Sequence, residues 1–134
     1  MLLDLHVHST CSADGRSGIA EYACRAAEMG LVEVGLCEHA DFDPRDQGCG
    51  YLDPLRYDAE IAAARAGVPS IRLRQGVEIT YQSSLEAEIG VWLAGLAWDM
   101  VVSSVHLVYY ADGWAMISEP NANEGYFASH RESE

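Results

Sequence analysis

Two histidines separated by one residue, His6 and His8, are the residues through which this chain could do chemistry. They lie in the segment Asp4-Leu5-His6-Val7-His8, and an acidic residue, Asp14, follows shortly after. If this segment is a β-strand, its side chains alternate between two faces, so both imidazoles point to the same side. Neutral imidazole binds zinc, manganese or iron well, and a carboxylate adds a harder oxygen donor. The pair alone is equally consistent with a solvated surface. Whether the two histidines are metal ligands therefore depends on where other residues of ligand type lie in the chain.

The elements that must position these residues alternate between strand and helix. Runs rich in Val, Ile and Leu predict strands over Leu2–His8, Val32–Cys37, Ile71–Ile79 and Met100–Val105. Between the strands, periodic apolar residues and cap signals predict helices over Ile19–Met29, Pro54–Ala66 and Leu85–Leu96. The cap signals are Gly30 after the first helix, Asp53 before the second, and a capping-box spacing of Ser83 and Glu86 before the third.

This alternation predicts an α/β fold with parallel strands and right-handed crossovers, either as an open sheet or as a barrel. In such folds the functional site lies at the carboxyl ends of the strands, where the variable loops emerge. Residues of ligand type follow this rule at all four strands: His6 and His8, Glu38 and His39, Glu78, and His106. A single Glu or His at a strand end is ordinary, but agreement among four ends favours a shared metal site.

The order of these segments resembles the polymerase and histidinol phosphatase (PHP) domain family. The matching segments are Asp4-Leu5-His6-Val7-His8-Ser9-Thr10 with Asp14-Gly15, Gly35-Leu36-Cys37-Glu38-His39, Gly76-Val77-Glu78-Ile79, and Asp99 to His106. They cover nearly the whole chain. The resemblance implies a distorted (β/α)7 barrel of parallel strands, of which the chain would form the N-terminal half, with residues 1–134 as one PHP domain that is incomplete at its C-terminus.

The resemblance also implies two to three divalent metal ions (Zn, Mn or Fe) at the barrel mouth. His6 and His8 would hold one ion, Glu78 would bridge it to a second ion that His106 also binds, and Asp14 with His39 would hold the third. Glu38 is assigned no metal. His6, His8, Glu78 and His106 would act in catalysis through water activated by the metals, because divalent cations lower the pKa of water and offset phosphoryl charge.

Three further sequence segments, less specific than the metal-ligand motifs, resemble the histidinol-phosphatase branch of the family. These are the loop over Ala40–Leu52, the strand end Gly76 to Tyr81, and the run from Ser104 to Trp114. They predict hydrolysis of histidinol phosphate to histidinol and phosphate, in histidine biosynthesis. Two alternatives stay open: a PHP phosphoesterase that acts on a nucleotide or a DNA end, and a non-catalytic fragment that only binds metal.

The charge balance restricts the partners. With 21 acidic residues against 8 Lys and Arg, the formal net charge is -13. A nucleic-acid-binding surface needs clustered Lys and Arg, so the composition favours a small phosphorylated substrate over nucleic acid. Arg72 and Arg74 alternate along the third strand and could clamp phosphate, although solvated or salt-bridged side chains are the expected state.

The four predicted strands provide about half of the barrel that the resemblance implies. The later ligands of the family, a further histidine and a closing Asp-x-His, have no counterpart, and His130 is too isolated for that role. We expect a fragment of a longer protein, with reduced or absent activity and an exposed sheet edge open to self-association. The four cysteines lack C-x-x-C spacing, and no apolar run could span a membrane, which predicts a soluble, cytoplasmic protein.

Overall fold

The computed structural model of the chain describes residues 1–110 and 113–117. Strands and helices alternate along it as the sequence predicts. The order is β1 Leu2–Val7, α1 Ile19–Glu28, β2 Leu31–Ala40, α2 Pro54–Gly67, β3 Arg72–Thr80, a short 3₁₀ turn Ser83–Leu85, α3 Glu86–Ala94, β4 Met100–Ser104, β5 Leu107–Tyr110 and β6 Gly113–Met116.

The first four strands form one parallel sheet in the order β1-β2-β3-β4, curled into a half-barrel. The pairing of β2 with β3 is regular from Glu33↔Arg72 to Ala40↔Ile79, whereas the pairing of β1 with β2 contains register shifts. All three connections between parallel strands contain a helix, which is the expected crossover for this topology. The predicted α/β half-barrel is therefore confirmed.

Local signals explain where the helices begin and end. The Asp53 carboxylate accepts hydrogen bonds from the N–H groups of Leu55 and Arg56, so it caps α2 as predicted. Gly30, just after α1, has a φ of 75°, which glycine adopts at little cost. The capping box predicted at Ser83 is wrong. Ser83 opens a 3₁₀ turn instead, and α3 starts three residues later with no side-chain cap at Leu85.

The main core lies between the sheet and helices α1 and α2. Tyr57 is fully buried there, and its hydroxyl donates to the backbone carbonyls of Leu36 and Gly76. Burial of the ring anchors α2 to β2 and β3, and the hydrogen bonds keep its polar atom satisfied. A second cluster around Val77, Ile79 and Ile89 packs α3 against β3. Both helical layers cover the face opposite to His39 and Glu78, so one face of the sheet is core and the other carries the candidate site.

The antiparallel hairpin of β5 and β6 is an element that the sequence interpretation missed. Tyr109 lies opposite Trp114 in its register.

In the parallel sheet, β1 and β4 form the edges, and Leu3 and Leu5 of β1 remain about 40% exposed. Among the described residues, no helix has the length and apolar character needed to cross a membrane.

Candidate metal centre

All six predicted ligands lie at the same end of the half-barrel, at or just after the carboxyl ends of the parallel strands. His6 is in β1, and His8 follows that strand directly. His39 and Glu78 lie near the ends of β2 and β3 and are direct partners in the register. Paired residues in neighbouring strands point to the same face of a sheet, so the histidine and the carboxylate converge. Asp14 and His106 reach the group from the turn after β1 and from the residue pair after β4.

Glu78 is the central carboxylate of this group. Its Oε2 lies 2.6 Å from His6 Nε2 and 3.5 Å from His8 Nε2, while its Oε1 lies 3.8 Å from His106 Nε2. Burial would raise the pKa of Glu78, but hydrogen bonding to His106 and Ser104 and the nearby imidazoles outweigh it and lower the pKa to about 2. The residue is thus an anion at neutral pH with an oxygen directed to either side.

A second group consists of His8, Asp14 and His39. Asp14 Oδ1 lies 3.8 Å from His8 Nδ1, and Asp14 Oδ2 lies 3.5 Å from His39 Nε2. The His8 and His39 rings stack, with their centroids 4.4 Å apart. Burial and the neighbouring His39 lower the pKa of His8, which favours the neutral imidazole that a metal requires.

The donor set fits divalent metal ions. Within residues 1–110 and 113–117, three groups have ligand atoms within 4.8 Å of one another: His6–His8–Glu78, His8–Asp14–His39 and His39–Asp41–His106. The buried Nδ1 atoms of His8 and His39 make no hydrogen bond to any described residue. Buried polar atoms are normally satisfied, so two orphaned imidazole nitrogens among carboxylates favour cations as their partners.

The turn from Ser9 to Gly15 is held rigidly beneath these ligands. Glu38 is fully buried and accepts hydrogen bonds from the Ser9 N–H, the Ser9 hydroxyl and the Ser12 hydroxyl. Ser12 Oγ in turn accepts a 2.8 Å hydrogen bond from the N–H of His39. Glu38 therefore points away from the ligand face and ties the turn that carries Asp14 to the strand that carries His39.

The sequence interpretation missed two acidic residues, Asp41 and Asp46, in the loop after β2. Asp46 Oδ2 lies 3.1 Å and Asp41 Oδ1 lies 3.7 Å from His106 Nδ1. The Thr80 hydroxyl donates to Asp41, and its oxygen lies 2.8 Å from the same ring nitrogen. The acidic run from Asp41 to Asp46, placed directly after a ligand-bearing strand, was the available signal.

The charges around His106 dominate its protonation. Hydrogen bonding to Glu78 raises its pKa to about 9, with further support from Asp46 and Asp41, although burial acts in the opposite direction. Burial raises the pKa of Asp41. Without a cation, His106 is therefore positively charged at neutral pH and provides part of the charge that a metal ion would otherwise supply.

A pocket of about 380 Å³ opens beside these residues, within the size range of small-molecule sites. Its walls include Asp14, His39, Asp46, His106 and, from the β5–β6 hairpin, Met116. The hairpin is held there by Arg45, which pairs with the buried Asp43 and lies over the rings of Tyr109 and Trp114. This network lowers the pKa of Asp43, chiefly through its hydrogen bond to Arg45.

Other residues that could bind phosphate or metal by their type, two arginines and two cysteines, belong to none of the ligand groups described above. Arg74 forms an ion pair with Glu33, and both Arg72 and Arg74 are at the start of β3, at the opposite end from the ligands. The salt-bridged state that the sequence favoured for Arg74 is therefore observed. Cys11 and Cys37 are buried thiols whose pKa burial raises to about 11. His130 lies outside the described residues.

Comparisons with known proteins agree with this geometry. The PHP domain family matches residues 4–133. The chain is 30% identical over 106 residues to a histidinol-phosphatase from Lactococcus lactis subsp. lactis (strain IL1403), a match that covers 78% of this chain and 39% of that protein. It is also similar to the crystal structure of histidinol phosphate phosphatase from the same organism in complex with zinc, L-histidinol and phosphate, with a TM-score of 0.73 and 28% identity. That structural match covers 83% of this chain and 44% of the crystallised one, so the chain spans about two fifths of the length of these relatives.

Proposed function

The chain belongs to the PHP domain family, and on that premise we propose that it carries the metal-binding half of a phosphatase that hydrolyses phosphate monoesters, with histidinol phosphate as the substrate and histidinol and phosphate as the products. This proposal rests on one observation: six side chains of ligand type converge at the carboxyl ends of the parallel strands. They are His6, His8, Asp14, His39, Glu78 and His106. The proposal includes a role in histidine biosynthesis, in the cytoplasm.

We assign the ligands as the resemblance to the PHP family implies. His6 and His8 would hold one ion, His106 would hold a second, Glu78 would contribute to both, and Asp14 and His39 would hold a third. Bound zinc, manganese or iron would lower the pKa of a nucleophilic water and offset charge on the phosphoryl oxygens. The role of the protein is then to fix its ligands, because phosphoryl transfer depends mainly on positioning and electrostatics.

Two observations support a small phosphorylated substrate. The pocket beside His39 and His106 has a volume of about 380 Å³, which suits a small molecule rather than a polymer. The relative with the same fold was crystallised with zinc, L-histidinol and phosphate. The formal net charge of -13 disfavours a nucleic-acid partner, because phosphate backbones need clustered cationic side chains.

The same acidic balance makes cations necessary to this proposal. Asp14, Asp41 and Asp46 line the pocket, and Glu78 lies 3.8 Å from the pocket residue His106, so a phosphate dianion would meet repulsion without bound metal. Because the chain spans about two fifths of the length of its relatives, we propose full turnover for a protein in which the remaining strands of the barrel are also present. The isolated chain is expected to bind metal and to hydrolyse slowly or not at all.

The first experiment measures metal content. The chain is purified without chelator, and zinc, manganese and iron per chain are determined by elemental analysis. We expect at least one equivalent in the wild type and a clear loss in His8→Ala and in Glu78→Ala. The matched control is Glu28→Ala, which removes an exposed carboxylate on α1 and should leave the metal content unchanged. A folded wild type without metal would contradict the proposal.

The second experiment measures phosphate release from histidinol phosphate and from nucleoside monophosphates, with the chain and with a version extended to the full length of the barrel. Faster release from histidinol phosphate supports the proposed substrate. Preference for a nucleotide would instead favour the nucleotide phosphoesterase alternative. Bound metal without release from either substrate, in both proteins, would favour a non-catalytic metal-binding module.

A further inference from the structure

The side chain of Asp46 is fixed between two partners. Its Oδ1 accepts a 3.0 Å hydrogen bond from the N–H of Gly48, and its Oδ2 lies 3.1 Å from His106 Nδ1. The carboxylate is only 9% exposed. Each oxygen thus has its own partner, and the carboxylate presents a set direction to the imidazole.

The loop that carries Asp46 is built to hold it there. The N–H of Asp46 donates to the carbonyl of Asp43, and the carbonyl of Asp46 accepts from the N–H of Cys49. At Gly48 an added Cβ would lie 2.1 Å from a carboxylate oxygen of Asp41, so a side chain at this position would have to displace that carboxylate. These backbone and side-chain contacts hold Asp46 within a folded loop.

The two nitrogens of His106 face different surroundings. Nδ1 faces Asp46 Oδ2 and, at 2.8 Å, the oxygen of Thr80. Because the Thr80 hydroxyl donates its own proton to Asp41, that oxygen is available as an acceptor. Nε2 instead faces the Ser104 hydroxyl at 3.3 Å and Glu78 Oε1 at 3.8 Å. A ring that binds a cation through Nε2 carries its one proton on Nδ1, and two acceptors lie within 3.1 Å of Nδ1 to hold that proton there.

We propose that Asp46 is a positioning residue for His106: its carboxylate fixes the ring and its Nδ1–H tautomer, so that Nε2 is presented as the metal ligand beside Glu78. This inference rests on the metal site proposed above and adds a residue from outside the strand ends. We assign Asp46 no ion, because it belongs to none of the ligand groups found among the described residues and its two oxygens face the Gly48 N–H and the Nδ1 side of the imidazole. Carboxylates that accept from a ligating histidine typically change metal affinity about 10–100-fold when removed.

The test is a double-mutant cycle on zinc affinity, measured by competition with a chromogenic chelator on the purified chain. Asp46→Asn keeps an oxygen for the N–H of Gly48 but turns an amide N–H₂ toward Nδ1–H. We expect Asp46→Asn to lower the affinity for one equivalent of zinc about 10–100-fold. His106→Ala should lower the affinity for the same equivalent. The double variant should bind this zinc no more weakly than His106→Ala alone. Asp58→Asn, on the exposed side of α2, is the matched control and should bind zinc as the wild type does.

Several results would overturn the inference. These are unchanged affinity in Asp46→Asn, effects of Asp46→Asn and His106→Ala that add fully, or zinc binding that does not depend on His106. Circular dichroism follows the folding of each variant. Asp46→Ser is the second variant, because it can still accept from Gly48 N–H but cannot reach the imidazole, and the same loss is expected. Since affinity is measured without substrate, a failure of phosphate release would count against the proposed phosphatase activity and not against the role of Asp46.

Discussion

Glu38 accepts two kinds of hydrogen bond from Ser9: one from its backbone N–H at 3.1 Å and one from its hydroxyl at 2.6 Å. The Ser12 hydroxyl donates to the other carboxylate oxygen at 2.6 Å. A fully buried carboxylate with three donors holds the turn after β1 against β2, and this turn follows His8 and carries Asp14. Glu38 thus supports the metal centre from the opposite face of the strand that carries His39.

Glu38→Ala should reduce the free energy of unfolding by about 3 kcal/mol, because it leaves several buried donors without an acceptor. Glu38→Gln should cost less, since one oxygen remains. The measurement is equilibrium unfolding in urea with the metal removed. Glu28→Gln is the matched control, because its ion pair with Arg25 is exposed and should contribute less than about 0.5 kcal/mol. Similar losses at Glu38 and Glu28 would contradict this account of the turn.

Gly15→Ala should disturb the same turn by steric overlap. An added Cβ would lie 1.7 Å from the carbonyl oxygen of Ser9, so the backbone has to move. Because Asp14 precedes this glycine, we expect a lower melting temperature together with weaker zinc binding. At Gly90, inside α3, an added Cβ meets nothing within 4 Å, so Gly90→Ala should stabilise the chain by about 0.5–1 kcal/mol. A Gly15→Ala chain as stable as the wild type, with the same zinc affinity, would refute this prediction.

The parallel strands, and the position of the proposed ligands at the carboxyl ends of these strands, could be predicted from the sequence because both depend on strong periodic signals. Apolar β-branched runs mark β2 and β3, and ligand-type residues at strand ends converge in any parallel sheet. The structure brings together all six predicted residues, although their roles as ligands stay predictions. The half-barrel is confirmed by the sheet order and by its similarity to a solved PHP structure.

The supporting residues were harder to predict because they act through long-range contacts. Asp46 reaches His106 across a separation of 60 residues, and no local pattern specifies that meeting. The β5–β6 hairpin was missed although Asp112-Gly113, a dipeptide typical of hairpin turns, occurs in this part of the sequence. Ser83 had the spacing of a capping box, yet the 3₁₀ turn placed the helix start beyond it. Tertiary packing decided each of these points.

The stability of the metal-free chain should depend on pH through His106. Its pKa is raised from 6.5 to about 9 by the hydrogen bond to Glu78, so the folded state holds its proton more tightly than the unfolded state does. This contribution is fully present below about pH 6.5 and is lost as the pH rises to about 9. We therefore expect the melting temperature in the presence of chelator to fall over that range.

His106→Gln should remove most of this alkaline decline, because glutamine does not titrate. Zinc affinity should follow the opposite trend in the wild type and increase over the same range, since the metal has to displace the proton from the imidazole. A melting temperature that declines equally in the wild type and in His106→Gln would show that another group is responsible.

Arg45 should hold the β5–β6 hairpin against the loop after β2. Its guanidinium pairs with Asp43 and lies 4.9 Å and 5.4 Å from the ring centroids of Tyr109 and Trp114. Arg45→Lys keeps the charge but loses the planar group that pairs and stacks. We expect the fluorescence of Trp114 to shift toward longer wavelength as the ring becomes more hydrated.

The shift should be absent when Arg45→Lys is combined with Trp114→Phe, which separates Trp114 from Trp92 and Trp98. Arg25→Lys, at an exposed site on α1, is the control and should leave the spectrum unchanged. Because Met116 of the same hairpin lines the pocket, Arg45→Lys should also widen the pocket mouth. The metal content should stay unchanged, because β5 and β6 carry none of the six proposed ligands and His106 meets the hairpin at its base, through the N–H of Ile117, away from the Tyr109–Trp114 pair that Arg45 contacts. Loss of zinc in this variant would instead mean that the hairpin supports the metal centre directly.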